Sequence, residues 1–342
     1  STVGKMAFVD KITETAFINQ RVGILRSKIN KFLFYWLSTK YFLDYIILES
    51  SGTAQPNISN SILNDFVISI PNNKNELTYI LNYLDNKCSK IDYMIEKQQA
   101  IIEKLKEYNQ SLITETITKG LNSDVTMKDS GIEWIGKIPE NSIIVKLKRI
   151  VSKPITDGTH ITPTYDNKYS GSPFLSSKDV SKGYIDWTNI KYITKDLHKE
   201  LYKNTRPQRN DILLAKNGTT GVAALVETDD IFDIYVTLAL LTPSSKIILP
   251  KYLLFYINSL VSKKQFDEHL KGSGVPNLHL NVIRDTKIIL HTLYEQQQII
   301  DYLDKKCGFI DKSIEQKQSL INKLIDYKKS LIYEVVTGKK EV

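Results

Sequence analysis

The side chains of this chain that could do chemistry are polar groups in short segments rich in glycine. One segment runs from Lys216 to Gly221, where lysine, asparagine and threonine flank two glycines after an apolar run. Backbone N–H groups and short polar side chains in such a loop can bind phosphate, and asparagine and lysine can also bind base edges. A structural turn is an equally good interpretation. The segment from Asp157 to His160 is similar. Its histidine could donate a hydrogen bond to a base or a phosphate, or it could simply form its hydrogen bond with Asp157.

Motifs of self-contained enzymes are missing from the sequence. It has no Gly-x-x-x-x-Gly-Lys-Ser/Thr nucleotide loop, no His-Glu-x-x-His or Cys-x-x-Cys metal motif, and no Asn-Pro-Pro-Tyr-like motif. The glycine-containing run at residues 272–274 lacks the helix start of a dinucleotide site. We therefore expect no catalytic residue and no metal site in this chain.

Composition indicates a chain of two or three globular domains. Of its 342 residues, 25% are charged and 42% hydrophobic, enough for substantial cores. The apolar stretches, such as residues 32–37, are far shorter than the roughly 18 residues of a membrane span, so we expect no membrane anchor. The chain opens without an apolar leader and contains only Cys88 and Cys307, which favours a cytoplasmic location without disulfides.

Positive charge is concentrated in one part of the chain. The formal net charge is +8, and residues 141–290 hold 21 Lys and Arg against 14 Asp and Glu. A local positive excess favours a polyanion partner, because phosphate contacts release counterions. A lysine-rich soluble surface is the alternative.

The sequence contains an internal repeat. Residues 83–88 recur at 302–307, an offset of 219 that also relates many positions downstream, and offsets of 217 to 220 relate segments further upstream. The chain is therefore two copies of one module. The two cysteines are repeat partners in apolar helical stripes, which argues against a reactive or metal-binding role for either.

Each copy ends in a predicted long helix with a heptad seam. Between positions 77 and 112 every third or fourth residue is apolar except Gln98 and Asn109, and the second copy repeats the pattern over 296–331 with Lys317 and Lys328 at the matching places. Two such seams can bury each other. The polar positions could fix the register of the pair or face solvent.

The region before the second helix is predicted to be mixed. Short apolar and β-branched runs predict strands at residues 211–215, 222–226, 234–241 and 287–290, and residues 250–270 have helical spacing.

At this point the motifs resemble a known family. Residues 129–139, 147–148, 156–163, 173–175, 211–221, 272–278 and 295–300, in that order, are similar to the module of the DNA specificity subunit of type I restriction-modification systems. Each motif alone is weak, whereas the combination is specific and covers essentially the whole chain. The fold class that this resemblance implies is α+β, with two α/β target recognition domains separated by two long helices packed as an antiparallel coiled coil.

The resemblance implies a non-catalytic subunit that reads a bipartite target in double-stranded DNA. Two modification (methyltransferase) subunits would dock on it, and restriction (endonuclease/translocase) subunits would join them. This chain would bind no cofactor of its own, and S-adenosylmethionine, ATP and Mg would be held by the partners. The implied domains are the C-terminal part of recognition domain 1 (1–72), spacer helix 1 (73–122), recognition domain 2 (123–292) and spacer helix 2 (293–342).

The candidate DNA-binding residues lie in the motif loops and in the frame that both copies share. They are Asp157, Gly158, Thr159, His160, Thr162, Ser176, Ser177, Lys178, Lys216, Asn217, Thr219, Thr220, Ser273 and Asn277, with Gln55 and Asn57 from the first copy. The shared frame argues as well for a role in the fold as for DNA contact.

Two departures from the family pattern stand out. The first copy begins at the counterpart of Gly218, so its recognition domain is expected to be incomplete, and Gln296 is matched by Leu77.

Two alternatives to the specificity subunit stay open. One is a coiled-coil scaffold without a DNA role, and the other is a stand-alone DNA methyltransferase or nuclease.

Overall fold

The structure is a computed structural model that describes residues 4–10, 17–19, 22–50, 58–133, 135–203, 205–270 and 276–342. The chain divides into two compact units. The first unit consists of residues 1–104 and 312–342, and the second consists of residues 105–311. In the described ranges no helix combines the length and the apolarity that crossing a bilayer requires.

In the described residues four helices come first, and all the strands lie between the two long helices. The helices are α1 (Asn30–Leu37), α2 (Lys40–Glu49), α3 (Asn60–Asp65), α4 (Lys74–Lys119), α5 (Lys195–Leu201), α6 (Pro250–Ile257), α7 (Leu260–Leu270), α8 (Leu280–Asp285) and α9 (Leu293–Val336). The strands are β1 (Met127–Asp129), β2 (Lys137–Pro139), β3 (Ile143–Lys146), β4 (Thr156–Asp157), β5 (Tyr165–Asp166), β6 (Ser172–Leu175), β7 (Lys191–Ile193), β8 (Ile212–Ala215), β9 (Ala223–Leu225), β10 (Asp233–Ile234), β11 (Leu238–Leu241) and β12 (Lys287–Leu290). The predicted α+β class is confirmed.

The first unit is a helical core. The aromatic face of α1, with Phe32, Tyr35 and Trp36, is buried against Leu84 of α4 and Leu331 of α9. A second cluster forms around α2. Burial of these large side chains provides the main driving force for packing α1 on the long helices and α2 against α1 and α3.

The second unit contains two four-stranded sheets. One has the order β4-β11-β8-β9 and is antiparallel throughout. The other has the order β10-β6-β7-β5, in which β10 and β6 are parallel. The pairs β1-β2 and β12-β3 complete the unit.

Strands β8 and β11 are buried on both faces, which explains their continuous apolar sequence. Side chains alternate across a strand, so Ile212 and Leu214 of β8 join the core that includes α6 and α7. Leu213 and Ala215 face the opposite way and join the core that includes Leu175 of the other sheet. The central sheet is thus packed between helices and a second sheet.

The two copies of the module reproduce the same local geometry. Lys31 on α1 pairs with Asp85 on α4 at 2.5 Å, and their repeat partners Lys251 and Asp304 pair at 2.7 Å. The start of each long helix is capped alike, by the side chain of Asn73 in the first copy and of Thr292 in the second. The repeat is therefore structural as well as sequential.

Within the first unit α4 and α9 run antiparallel along their seams. Asp92 of α4 pairs with Lys328 of α9 at 2.6 Å, and further along α4 the side chain of Gln98 accepts a 3.1 Å hydrogen bond from Lys317, which lies earlier in α9. This confirms the predicted antiparallel packing. Because Gln98 and Lys317 are repeat partners that contact each other, the local pseudo-twofold axis passes between them. Their half-buried contact supports the interpretation that they set the register.

Two predicted elements are interrupted in the structure. The run 234–241, expected as one strand, splits into β10 and β11 because residues 235–237 turn between two sheets. The helical run 250–270 breaks into α6 and α7 at Asn258, whose side chain bonds both the N–H and the carbonyl of Ala223. In both places the chain changes direction to satisfy a partner distant in sequence.

Candidate nucleic-acid interface

The loop between β8 and β9 is a tight glycine turn. Gly218 and Gly221 have φ values of +77° and +90°, which residues with a Cβ rarely adopt. The N–H of Gly221 donates to the carbonyl of Ala215 at 2.9 Å, which closes the loop. The turn therefore needs its glycines for structural reasons, and it exposes Thr219 and half-buries Asn217 and Thr220.

The segment after β4 is fixed to the chain that leaves β10. At Gly158 an added Cβ would lie 2.0 Å from the carbonyl oxygen of Ile234, so only glycine allows this approach of two backbones. The N–H of Thr159 donates to the same carbonyl at 3.0 Å. His160 and Thr162 follow as exposed residues, and the His160 side chain is 73% accessible.

Lys216 and Asp157 form a largely buried ion pair. Their side chains are only 8% and 15% exposed, and the Lys216 ammonium donates to Oδ2 of Asp157. The other carboxylate oxygen lies 3.4 Å from Nε2 of His160. Lys216 thus has an intramolecular partner in this structure, and its predicted phosphate contact stays a prediction.

The segment after β6 approaches the same place. Ser176 donates from its backbone and its hydroxyl to Asp179, and the N–H of Ser177 donates to the Thr237 hydroxyl at 3.0 Å. A Cβ on Gly218 would lie 3.6 Å from Oγ of Ser177, so the two loops are neighbours. The Lys178 side chain is 53% exposed.

Asn277 completes the cluster. It forms a bridge with Asn217, and the N–H of Leu278 donates to the carbonyl of Lys216 at 2.9 Å. Its side-chain Oδ1 is buried and accepts no hydrogen bond from the described residues. The other candidates of the shared frame, Gln55, Asn57 and Ser273, lie outside the described residues.

A buried aspartate lies next to the residue that bonds the 157–160 segment. Asp233 lies next to Ile234 and bonds Nδ1 of His198 at 2.6 Å. Burial raises the pKa of Asp233, although the hydrogen bond from His198 acts in the opposite direction. The pair joins α5 to β10 and so supports the strand that holds the 157–160 segment.

A cleft beside the cluster contains residues that sequence reasoning missed. It has a volume of about 290 Å³ and is lined by Ser177, Lys178 and Thr237 together with Tyr165, Lys191 and Tyr235. The latter three come from separate strands and turns, and no local pattern links them. Only the strand pairing places them together.

Comparison with known proteins identifies the family of this chain. The sequence model described as the type I restriction modification DNA specificity domain matches residues 1–123 and 155–324, and the chain belongs to this family. The family predicted from the motifs is confirmed.

Two curated relatives illustrate the likeness. The chain is 25% identical over 314 residues to the type I restriction enzyme EcoBI specificity subunit of Escherichia coli, covering 89% of this chain and 65% of the relative. It is 26% identical over 309 residues to the MjaVIII specificity subunit of Methanocaldococcus jannaschii, covering 86% and 66%. The chain therefore spans about two thirds of the length of these relatives.

A solved structure has the same fold. A chain described by the words "Structural basis underlying complex assembly and conformational transition of the type I R-M system" superposes with a TM-score of 0.68 at 14% identity, covering 91% of this chain and 72% of that one. At this identity the likeness concerns the fold.

Proposed function

We propose that this chain is a DNA specificity subunit that reads double-stranded DNA for a type I restriction-modification complex. The observation that carries the proposal is the convergence of four separate segments, 157–162, 176–178, 216–220 and 277, on one part of the second unit. Loops held by a rigid pair of sheets are suited to present side chains to the edges of bases. The positive excess of residues 141–290 adds attraction to the phosphate backbone.

In this proposal the chain is not an enzyme. The modification subunits hold S-adenosylmethionine and transfer the methyl group, whereas ATP and Mg belong to the restriction subunits. The role on host DNA implies a cytoplasmic location. The family membership of the chain and the names of its relatives support these assignments.

The repeated geometry supports two modification subunits per chain. The Lys31–Asp85 and Lys251–Asp304 pairs and the two helix caps give both copies the same junction between short and long helices. A protein that recognises one junction can recognise the other. Mass measurement of the purified complex is expected to give two modification subunits per chain, and a one-to-one complex would contradict this part of the proposal.

The test of the function is methylome sequencing of a host that lacks other modification systems. Supplying this chain with its modification subunit is expected to produce methylation at one defined sequence, and omitting the chain should abolish it. A double substitution Asn217→Ala/Thr219→Ala changes loop side chains without touching the glycines. We expect it to relax or alter the sequence at a few positions while methylation persists. Methylation that does not depend on the chain would reject the proposal.

A further inference from the structure

We propose, building on the DNA-binding role above, that Lys178 and Lys191 bind a single DNA phosphate together and that Tyr165 is a positioning residue for Lys191. The site is the cleft of about 290 Å³ between the β5-β7-β6 part of the sheet and the turn after β6. Tyr165 and Lys191 belong to none of the loops in which DNA contacts were predicted. The inference therefore adds a contact to the interface.

Strand register places two aromatic residues of the cleft and Lys191 on the same face of the sheet. Phe174 lies opposite Lys191, and Tyr165 lies opposite Ile193, the next residue on that face of β7. The Lys191 ammonium sits 4.2 Å from the centroid of the Tyr165 ring. This distance is within the range of a cation–π contact, which holds the ammonium in place while leaving its N–H donors available.

The second lysine is held beside the first. The Lys178 ammonium donates to the backbone carbonyl of Asn189 at 3.2 Å, just ahead of β7. Asp179 lies 3.5 Å from this ammonium, but its other carboxylate oxygen accepts both hydrogen bonds from Ser176. Lys178 is therefore anchored at the rim by a neutral carbonyl and only loosely paired with an acid.

The residues that line the cleft carry the positive charge that binding an anion requires. Among the described residues that line it there are two lysines and no carboxylate. Ser177 also lines it and adjoins the Gly218 loop, so the cleft belongs to the same surface as the candidate base-reading loops. A backbone phosphate next to the bases being read is the anion that duplex DNA supplies at this place.

The test is the salt dependence of DNA binding by the full chain, together with its modification subunits where they co-purify. The probe is a mixed-sequence duplex, because phosphate contacts dominate non-specific binding. Affinity is measured by fluorescence anisotropy from about 50 to 200 mM salt for the wild type, Lys178→Met, Lys191→Met and the double variant. Lys246→Met, which removes an exposed lysine outside the cleft, is the matched control.

A shared phosphate predicts a specific pattern. The double variant should reduce the slope of log K against log salt by about 0.9, the value for one lost phosphate, and Lys246→Met should leave it unchanged. A reduction of about 1.8 would mean two independent phosphates and would overturn the joint contact. An unchanged slope in the double variant, with steep salt dependence in the wild type, would overturn the site alone. A flat response of the wild type would instead count against the DNA-binding function itself.

Tyr165 is tested through Lys191. Tyr165→Phe keeps the ring and should bind as the wild type does, whereas Tyr165→Leu should weaken binding about as much as Lys191→Met. In the double variant Tyr165→Leu/Lys191→Met the losses should not add, because both changes remove the same contact. Additive losses would show that Tyr165 acts independently of Lys191 and would overturn its positioning role. A mononucleotide that competes with the duplex at equal ionic strength would identify a nucleotide pocket and would likewise overturn the phosphate contact to DNA.

Discussion

Asp157 lies between the side chains of Lys216 and His160 at the candidate interface, and its carboxylate is the partner that keeps Lys216 inside the protein. We expect Asp157→Asn to destabilise the second unit by about 3 kcal/mol, because a buried ammonium is left without its counter-charge. Adding Lys216→Met to Asp157→Asn should restore part of the lost stability, since no unpaired charge then remains. Urea denaturation measures both effects. Asp229→Asn, which breaks the exposed pair with Arg209, is the control and should cost less than about 1 kcal/mol. A double variant less stable than Asp157→Asn would contradict the explanation.

His291 gives the second unit a dependence on pH. Its ring is 3% exposed, with Nε2 bonded to the carbonyl of Ile117 and Nδ1 to the Ser142 hydroxyl. Burial lowers the pKa of His291, against the smaller effect of the Ile117 carbonyl, so the folded state favours the neutral ring. The unfolded chain takes up a proton near pH 6.5 and the folded one only at lower pH. The stability contributed by the neutral ring is thus complete above pH 6.5 and is lost as pH falls below it.

His291→Asn tests this dependence with the residue that the first copy carries at the equivalent position, Asn72. We expect the variant to be less stable than the wild type at pH 7.5 by about 1–3 kcal/mol, because buried hydrogen bonds are lost. The difference should narrow as the pH falls below about 6.5, because only the wild type loses stability when the unfolded histidine takes up a proton. Thermal unfolding at a series of pH values above and below this point measures it. His269→Asn, at an exposed histidine, should leave the pH profile unchanged, and a constant difference for His291→Asn would refute the account.

At the scale of helices and strands, sequence alone predicts what is periodic. The seams 77–112 and 296–331 lie inside α4 and α9, since a heptad sustained over that length has few alternatives to a long helix. Strands of two residues such as β10 carry too little pattern, and the parallel pairing of β10 with β6 depends on residues almost sixty positions apart. The same limit applies to the candidate interface. Its loops could be predicted from their motifs, but the burial of Lys216 by Asp157 and the cleft at Tyr165 arise from tertiary pairing.

The Gln98–Lys317 contact is one of the polar interruptions of the seams, and it has a measurable cost in stability. Replacing both with leucine should raise the stability of the first unit by about 1 kcal/mol, because apolar contacts replace a partly desolvated hydrogen bond. It should also weaken the preference for one register, which disulfide trapping between cysteines placed on α4 and α9 can detect as additional pairings. The control Lys305→Leu changes an exposed position of α9 and should do neither. A less stable double variant with a single register would show that the pair stabilises as well as specifies.

For the whole molecule, the two long helices are the part of the chain whose length can be changed without touching a candidate DNA-binding loop. We propose that they act as a spacer between the domains that recognise the two halves of a bipartite target. Gln98 and Lys317 face each other at the local pseudo-twofold axis, so insertions at these two residues fall at matching heights on both helices. Seven added residues in each helix keep the heptads in phase and add about 10 Å, close to three base pairs.

We therefore expect a chain with seven residues inserted after Gln98 and seven after Lys317 to methylate the same half-sites across a gap that is about three base pairs longer. The half-sites should stay fixed because the loops at 157–160 and 216–220 are unchanged. Methylome sequencing reads both quantities at once. A control with the insertion in α4 alone mismatches the seams and should lose stability and methylation together. Altered half-sites with an unchanged gap in the matched variant would show that the helices do not set the spacing, because nothing in those loops was changed.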